Sequence, residues 1–322
     1  METIVKCTNI QKHFTTKGND LSNRSDLVRA VDGVDLKIFR NETLALVGES
    51  GCGKSTLGRL VIRLLELTSG QISYRGMDIS KLGSRKMFDL RKKIQIIFQD
   101  PYASLNPRMK VMDIIGEPLK THSIAKGKER EEMVGTLVDR VGLRRESLNR
   151  YPHQFSGGQR QRIGIARAIA LDPDFLVCDE PVSALDVSIR SQILNLLKDL
   201  QDSLSLTYLF ISHDLAVVRY ISDRVCVMFL GKIVELGTCK DLFDRPLHPY
   251  TKFLMSAVPL PNPGLRNRER AILEGDIPSP INPPPGCRFN TRCPYAREVC
   301  RHEEPLMKDL GDRMYACHFP LE

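Results

Sequence analysis

The chain has 322 residues, of which 42% are hydrophobic and 27% charged, with a formal net charge of +8. That balance suits a globular protein with one large and one smaller domain and argues against extensive disorder. Apolar runs such as VCVMFL at 225–230 fall far short of the roughly 18–20 residues needed to span a bilayer.

The N-terminus METIVKCTNI has neither the basic start nor the long apolar stretch of a secretory signal. The expectation is a cytosolic protein that, if it serves a membrane, docks onto one built by other chains. The positive charge suits nucleic acid, anionic lipid or phosphorylated ligands. Nine cysteines in a reducing compartment argue against disulfides. Cys7, Cys52, Cys178, Cys226 and Cys239 are scattered and read as small buried residues. Cys287, Cys293, Cys300 and Cys317 stand together near the end.

In chain order, VDGVDLKIF alternates Val34, Leu36 and Ile38 with Asp35 and Lys37, a half-buried strand. TLALVG is almost wholly apolar, as in the buried middle of a sheet, and KSTLGRLVIRLLEL from Lys54 has helical spacing. KIQIIFQD, DFLVCDEP and TYLFISHD are three further apolar strands with polar ends. EREEMVGTLVDRVGL, GGQRQRIGIARAIAL and VSIRSQILNLLKDLQDSL between them are helical. Alternation of this kind predicts an α/β fold with parallel strands, whose ligands gather at the carboxyl ends. Residues 100–170 lack a strong strand and read as a helical insertion. A hairpin is expected to turn at Leu230-Gly231, and a proline-rich linker over 259–286 leads to the cysteine segment.

GESGCGKST at 48–56 fits G-x-x-x-x-G-K-[ST] from Gly48 through Glu49, Ser50, Gly51, Cys52 and Gly53 to Lys54 and Ser55, followed by Thr56. Glycines let backbone N–H groups curl around phosphate oxygens, and the helix that follows turns its positive end toward them. Lys54 is expected to reach the β- and γ-phosphates and Ser55 to bind Mg²⁺. FLVCDEP puts Asp179 and Glu180 at a strand end, one to hold the Mg²⁺ hydration shell, the other to polarise the attacking water. Gln99 and His213 also end apolar strands and can sense the terminal phosphate.

FSGGQRQRIGIARAIA offers a second anion site, with Ser156 as helix cap and Gly157 and Gly158 exposing N–H groups. One nucleotide has no evident use for two such sites in the same chain. The economical solution is a dimer in which this helix caps the γ-phosphate held by another subunit.

At this point the sequence resembles the ATP-binding-cassette (ABC) ATPases over roughly residues 4–240. The loop 48–55, Gln99, the signature Ser156-Gly157-Gly158-Gln159, Asp179-Glu180, the dimer loop Ser183-Ala184-Leu185-Asp186 and His213 stand in the family's order. The resemblance implies a P-loop nucleotide-binding domain over 1–240 and an extension over 241–322. By it, Phe14 would stack on adenine, Glu180 would be the general base, His213 the γ-phosphate switch, and Ser55, Gln99 and Asp179 would hold Mg²⁺. Two cassettes would sandwich two ATPs, each between one phosphate loop and the partner's signature. Phe155 departs from the leucine more usual before the signature serine.

FQDPYASLNPR, HPYT at 248–251 and the cysteine tail are similar to the oligopeptide/dipeptide importer branch, and TTKGNDLSNRSDLVRA resembles one ATPase of the pair such importers carry. That implies a second, non-identical ATPase as partner, with a homodimer possible in isolation. It also implies two transmembrane permease subunits, an indirectly served extracytoplasmic solute-binding protein, and a peripheral place on the cytoplasmic side of the cell membrane. Nickel or glutathione importers share these features. A soluble cassette acting on nucleic acid is the weaker alternative, lacking a second cassette or long coiled coil in this chain. A DNA-binding zinc module is disfavoured, because the tail lacks interleaved aromatic and basic residues.

The four late thiols are spaced C-x5-C-x6-C-x16-C. Converging thiolates suit Zn²⁺ or an iron–sulfur cluster, and structural zinc sites usually contain a closer pair than this. His302 and His318 flank the motif and keep a mixed ligand set open. The resemblance to the importer branch implies a 4Fe–4S cluster.

Overall fold

The computed structural model describes residues 2–16, 26–257, 276 and 278–321. Most of the TTKGNDLSNRSDLVRA segment, and most of the proline-rich run, therefore lies outside the described residues. The chain forms two compact units, residues 1–81 with 212–322, and residues 82–211.

The first unit begins with β1 (Thr3–Thr16), β2 (Asp26–Phe39), β3 (Thr43–Val47), α1 (Lys54–Val61), β4 (Ser69–Tyr74) and β5 (Met77–Asp78). β1 and β2 pair antiparallel, and with β4 and β5 they make a sheet ordered β2-β1-β4-β5. Val34, Leu36 and Ile38 face inward along β2 as the alternation predicts. β3 is buried throughout.

α1 is shorter than the apolar pattern suggested. It stops at Val61 because Arg63 turns left-handed (φ 55°), where its N–H bonds Leu60 O while Leu64 N–H reaches back to Arg59 O at 2.8 Å. These are the bonds of a helix-ending Schellman motif, so the leucines beyond it leave the helix.

The second unit holds α2 (Ser84–Leu90), β6 (Ile94–Ile97), α3 (Val111–Thr121), α4 (Gly127–Arg140), α5 (Gly157–Ile169), β7 (Phe175–Asp179), α6 (Val187–Leu204) and β8 (Thr207–Ile211). β6, β7 and β8 run parallel, and β7 and β8 are buried throughout, as continuous apolar runs require. Helices α3, α4 and α5 occupy the stretch between β6 and β7.

Returning to the first unit, α7 (Leu215–Ile221), β9 (Arg224–Phe229) and β10 (Lys232–Thr238) follow. β9 lies parallel to β3 and antiparallel to β10. Leu230 and Gly231, both at positive φ, turn the hairpin where the sequence puts it. α8 (Cys239–Asp244), α9 (Pro249–Ser256), α10 (Glu298–His302), β11 (Lys308–Asp309) and β12 (Met314–Tyr315) complete the unit. β12 pairs with β10, Tyr315 opposite Glu235.

The cysteine segment is anchored by Phe289, 1% exposed, which packs with Phe229 and Tyr250 at ring centroid distances of 5.4 and 5.3 Å. Buried Glu235 accepts from the N–H groups of Leu247 and His248, at 2.9 Å each, and from Arg313 Nε at 3.1 Å. One carboxylate thus joins β10, the start of α9 and the terminal hairpin. Among the described residues no helix is long and apolar enough to cross a membrane.

Candidate nucleotide site

The first unit carries the glycine loop between β3 and α1. Gly48 (φ 154°) and Gly53 (φ 107°) are fixed as glycine by space as well as conformation. A Cβ would lie 2.2 Å from Met228 O at Gly48 and 2.1 Å from Ala30 O at Gly53. At Gly51 a Cβ would meet nothing within 4 Å, so the loop's middle is open. Lys54, buried at the first turn of α1, donates from Nζ to Gly48 O at 2.8 Å and Glu49 O at 2.9 Å. The ammonium curls over carbonyls of its own loop. Ser55 and Thr56 follow in the same turn.

His213 is exposed, one residue beyond Ser212, whose N–H donates to Leu46 O of β3 at 3.2 Å. That bond sets His213 beside the strand feeding the loop. Asp214 caps α7, accepting from Ala216 N at 3.0 Å and Val217 N at 3.3 Å. Phe14 on β1 is 37% exposed, with Lys12 Nζ 5.1 Å from its ring centroid.

The second unit carries the carboxylates. Asp179 ends β7 almost completely buried. Glu180 follows in a left-handed conformation (φ 47°), held by its N–H to Ile211 O at 3.0 Å. A non-glycine residue in that conformation stores strain of the sort found at functional positions. Gln99 Nε2 donates to Glu180 Oε2 at 3.0 Å, so residues from beyond the ends of β6 and β7 meet. Ser183 Oγ donates back to Glu180 O at 3.1 Å, and the loop continues through exposed Ala184, buried Leu185 and exposed Asp186 into α6.

Ser156 and Gln159 form a reciprocal cap at the start of α5. Gln159 N–H donates to Ser156 Oγ at 3.4 Å and Ser156 N–H to Gln159 Oε1 at 3.1 Å. Both are exposed, so the positive end of α5 opens to solvent. Gly158 has a packing reason of its own, because a Cβ there would lie 2.3 Å from Ile189 Cγ2 of α6. At Gly157 the nearest atom would be Leu185 Cδ2 at 3.5 Å, ordinary contact. Packing therefore accounts for Gly158 and not for Gly157. Phe155 is buried beneath Arg150, 4.7 Å from ring centroid to guanidinium carbon.

Two contacts that sequence reasoning missed tie the loop after Gln99 to α5. The Arg160 guanidinium stacks on Tyr102 at 3.7 Å, and Arg167 Nη1 donates to Ser104 O at 2.7 Å. Arginines at i and i+7 of one helix were the available signal.

The late cysteines converge on the first unit. All four line one small cavity together with His248 and Phe289, and Cys287 N–H donates to Cys300 O at 2.8 Å. None forms a disulfide. Among the described residues no set of three or more His, Cys, Asp or Glu side chains is arranged to hold a metal ion. Burial, and then the neighbouring thiols' charge, push Cys287 up to about 12 and Cys293 to about 11. Thiolates gathered there are unfavourable without a cationic centre; the donor set itself fits a soft, sulfur-bound one.

A glycine loop between a buried parallel strand and a helix, with a buried lysine bent onto it, is the phosphate-binding arrangement of a P-loop nucleotide-binding protein. Family comparison agrees: residues 31–183 match the ABC transporter family and residues 234–300 the C-terminal region of oligopeptide/dipeptide transporters. The chain is 52% identical to the oligopeptide transport ATP-binding protein AppF of Bacillus subtilis, covering 98% of this chain and 97% of that one. It is also 52% identical to the dipeptide transport ATP-binding protein DppF of Haemophilus influenzae, over 98% and 96%. Among solved structures, a dimeric ATP-binding cassette in a post-hydrolysis state with ADP and Pi is similar (TM-score 0.65, 28% identity, 73% of this chain and 99% of that one). The chain belongs to the ATP-binding proteins of the ABC transporter family.

Proposed function

We propose that this chain is the ATP-hydrolysing, energy-coupling subunit of a membrane importer for di- and oligopeptides. The observation that carries this reading is similarity running the full length of two peptide-transport ATP-binding proteins, C-terminal region included. Residues 1–240 serve as the nucleotide-binding domain, with the helices of 100–170 as an insertion, and 241–322 as an extension. The chain works in a nucleotide-sandwich dimer with a second ATPase, on the cytoplasmic face of two permease subunits. The dimeric cassette of similar fold supports the pairing.

Within that reading Lys54 and the amides of 48–56 bind the β- and γ-phosphates, and Phe14 faces adenine. Ser55, Gln99 and Asp179 hold Mg²⁺, which when bound spreads the charge of those phosphates. Glu180, steadied by Gln99, accepts the proton of the attacking water, and His213 senses the γ-phosphate. Ser156, Gly157, Gly158 and Gln159 cap the γ-phosphate of the partner's ATP, and the loop 183–186 lies at the dimer seam. Before cleavage the γ-phosphate bridges two chains and afterwards only one, which is the differential contact that drives opening. The thiols of Cys287, Cys293, Cys300 and Cys317 would hold a 4Fe–4S cluster; the cavity they share supports a common sulfur-bound centre, and the resemblance to the importer branch favours iron–sulfur over a single zinc ion.

Isolating the intact complex from its native membrane tests the reading. Co-purifying permease subunits, with ATP-dependent peptide uptake after reconstitution, are expected. Uptake of nickel or glutathione but no peptide would reassign the solute, and nucleic acid in place of permease subunits would overturn transport itself.

A further inference from the structure

Two arginines in the cysteine segment reach the nucleotide-binding elements and have no part in the mechanism above. Arg288 directly follows Cys287 and Arg292 directly precedes Cys293, so one short turn carries both. Arg292 is nearly buried and forms a two-pronged pair with Glu49, Nη1 to Oε2 at 2.8 Å and Nη2 to Oε1 at 3.1 Å. Among the described residues its Nε has no hydrogen-bond partner, and the Glu49 carboxylate answers its two Nη groups. Arg288 pairs with Asp32, which lies 3.1 Å from His13 Nε2, next to Phe14.

Glu49 is the second residue of the glycine loop, and each of its polar groups is occupied. Its carboxylate takes Arg292, its N–H donates to Tyr250 Oη at 2.9 Å, and its carbonyl accepts from Lys54 Nζ at 2.9 Å. A carboxylate on a loop shaped for phosphate repels the ligand unless its charge is cancelled nearby. The fork of Arg292 cancels it and fixes the residue whose carbonyl steadies Lys54.

We propose that Arg292 is a positioning residue for ATP, neutralising Glu49 and, through it, setting the loop and Lys54. The proposal rests on reading residues 48–56 as the ATP site. It makes the cysteine segment a part of the nucleotide site's scaffold, since the turn between Cys287 and Cys293 delivers the guanidinium.

The test uses the full chain, with steady-state ATPase rates and calorimetric titration of Mg-ATP. Arg292→Ala is expected to raise both KM and Kd for ATP about tenfold, the scale of coupling between neighbouring sites, while kcat stays within about twofold. Arg292→Lys keeps the charge but loses the fork, and falls between. Adding Glu49→Gln to Arg292→Ala removes the bare carboxylate and is expected to restore most of the affinity. An arginine that merely pins the segment would instead lower kcat through a smaller folded fraction, leave KM alone, and gain nothing from Glu49→Gln.

Unchanged KM and Kd in Arg292→Ala, or the same loss in the double variant, overturns the proposal. If Arg292→Ala does not fold, Arg292→Gln carries the same comparison. Lys54→Ala separates the two levels. Retained ATP binding there defeats the site reading itself, whereas lost binding beside a normal Arg292→Ala defeats only this inference.

Discussion

The side-chain amide of Gln99 donates to the carboxylate of Glu180 at 3.0 Å, joining residues 81 apart in sequence. One is the expected phosphate sensor and the other the expected base, and the bond holds Glu180's oxygen in a fixed direction. Glu180→Gln is expected to lower ATP turnover by at least ~100-fold, the usual scale for losing a general base, with ATP affinity retained. Phosphate-release kinetics and equilibrium ATP binding check both halves; retained turnover would remove Glu180 as the base.

Gly53→Ala is expected to abolish ATP binding. Its Cβ would press against Ala30 O at a left-handed φ, so the loop must move before α1 can start. Calorimetric ATP titration should show no heat of binding, whereas Gly51→Ala, strained at φ 78° but clear of neighbouring atoms, should bind weakly yet measurably.

Glu235 is fully buried and answers two backbone N–H groups and Arg313. Glu235→Ala leaves the part-buried Arg313 without its carboxylate and two backbone N–H groups without their acceptor, and should cost about 3 kcal/mol of stability. Denaturant unfolding checks it; a loss below ~1 kcal/mol would mean the carboxylate is not the joint of the C-terminal packing.

His248 ties stability to pH. Burial holds its pKa down to about 3, and the neutral ring's Nδ1 accepts from Tyr250 N–H at 3.1 Å to cap α9. The unfolded chain therefore takes up a proton near the ordinary histidine value, about 6.5, that the folded chain refuses. This contribution is full above that value and is lost as pH falls toward 3. Thermal midpoints between pH 7.5 and 5 should drop more steeply for the native chain than for His248→Asn, which can cap without titrating.

Anaerobically purified protein should be brown and contain iron and sulfide, with Cys300→Ser losing the colour. Colourless protein carrying one zinc would reverse the choice of centre.

The parallel strands and the phosphate loop were legible because TLALV, FLVCD and TYLFI are apolar without interruption, and buried parallel strands need nothing else. The antiparallel sheet was legible only in the VDGVDLKIF stretch of β2. β1 shifts register between Cys7 and Ile10, where Asn9 takes a positive φ, and that breaks the two-residue period. α1 was read too long because Leu64 and Leu65 continue the apolar pattern past a left-handed Arg63 that no side chain announces. At the site, Gly157 and Gly158 look alike in sequence, yet only Gly158 is crowded by Ile189. Arg292 stood beside a cysteine and drew no notice, since the carboxylate it meets lies 243 residues away.

Light scattering of the purified Glu180→Gln chain with and without Mg-ATP tests the central claim most directly. The account predicts monomers without nucleotide and dimers holding two ATPs with it, and a return to monomers when Ser156→Arg blocks the capping end of α5. Monomers that bind ATP fully and never pair, alone or with a related ATPase, would contradict it.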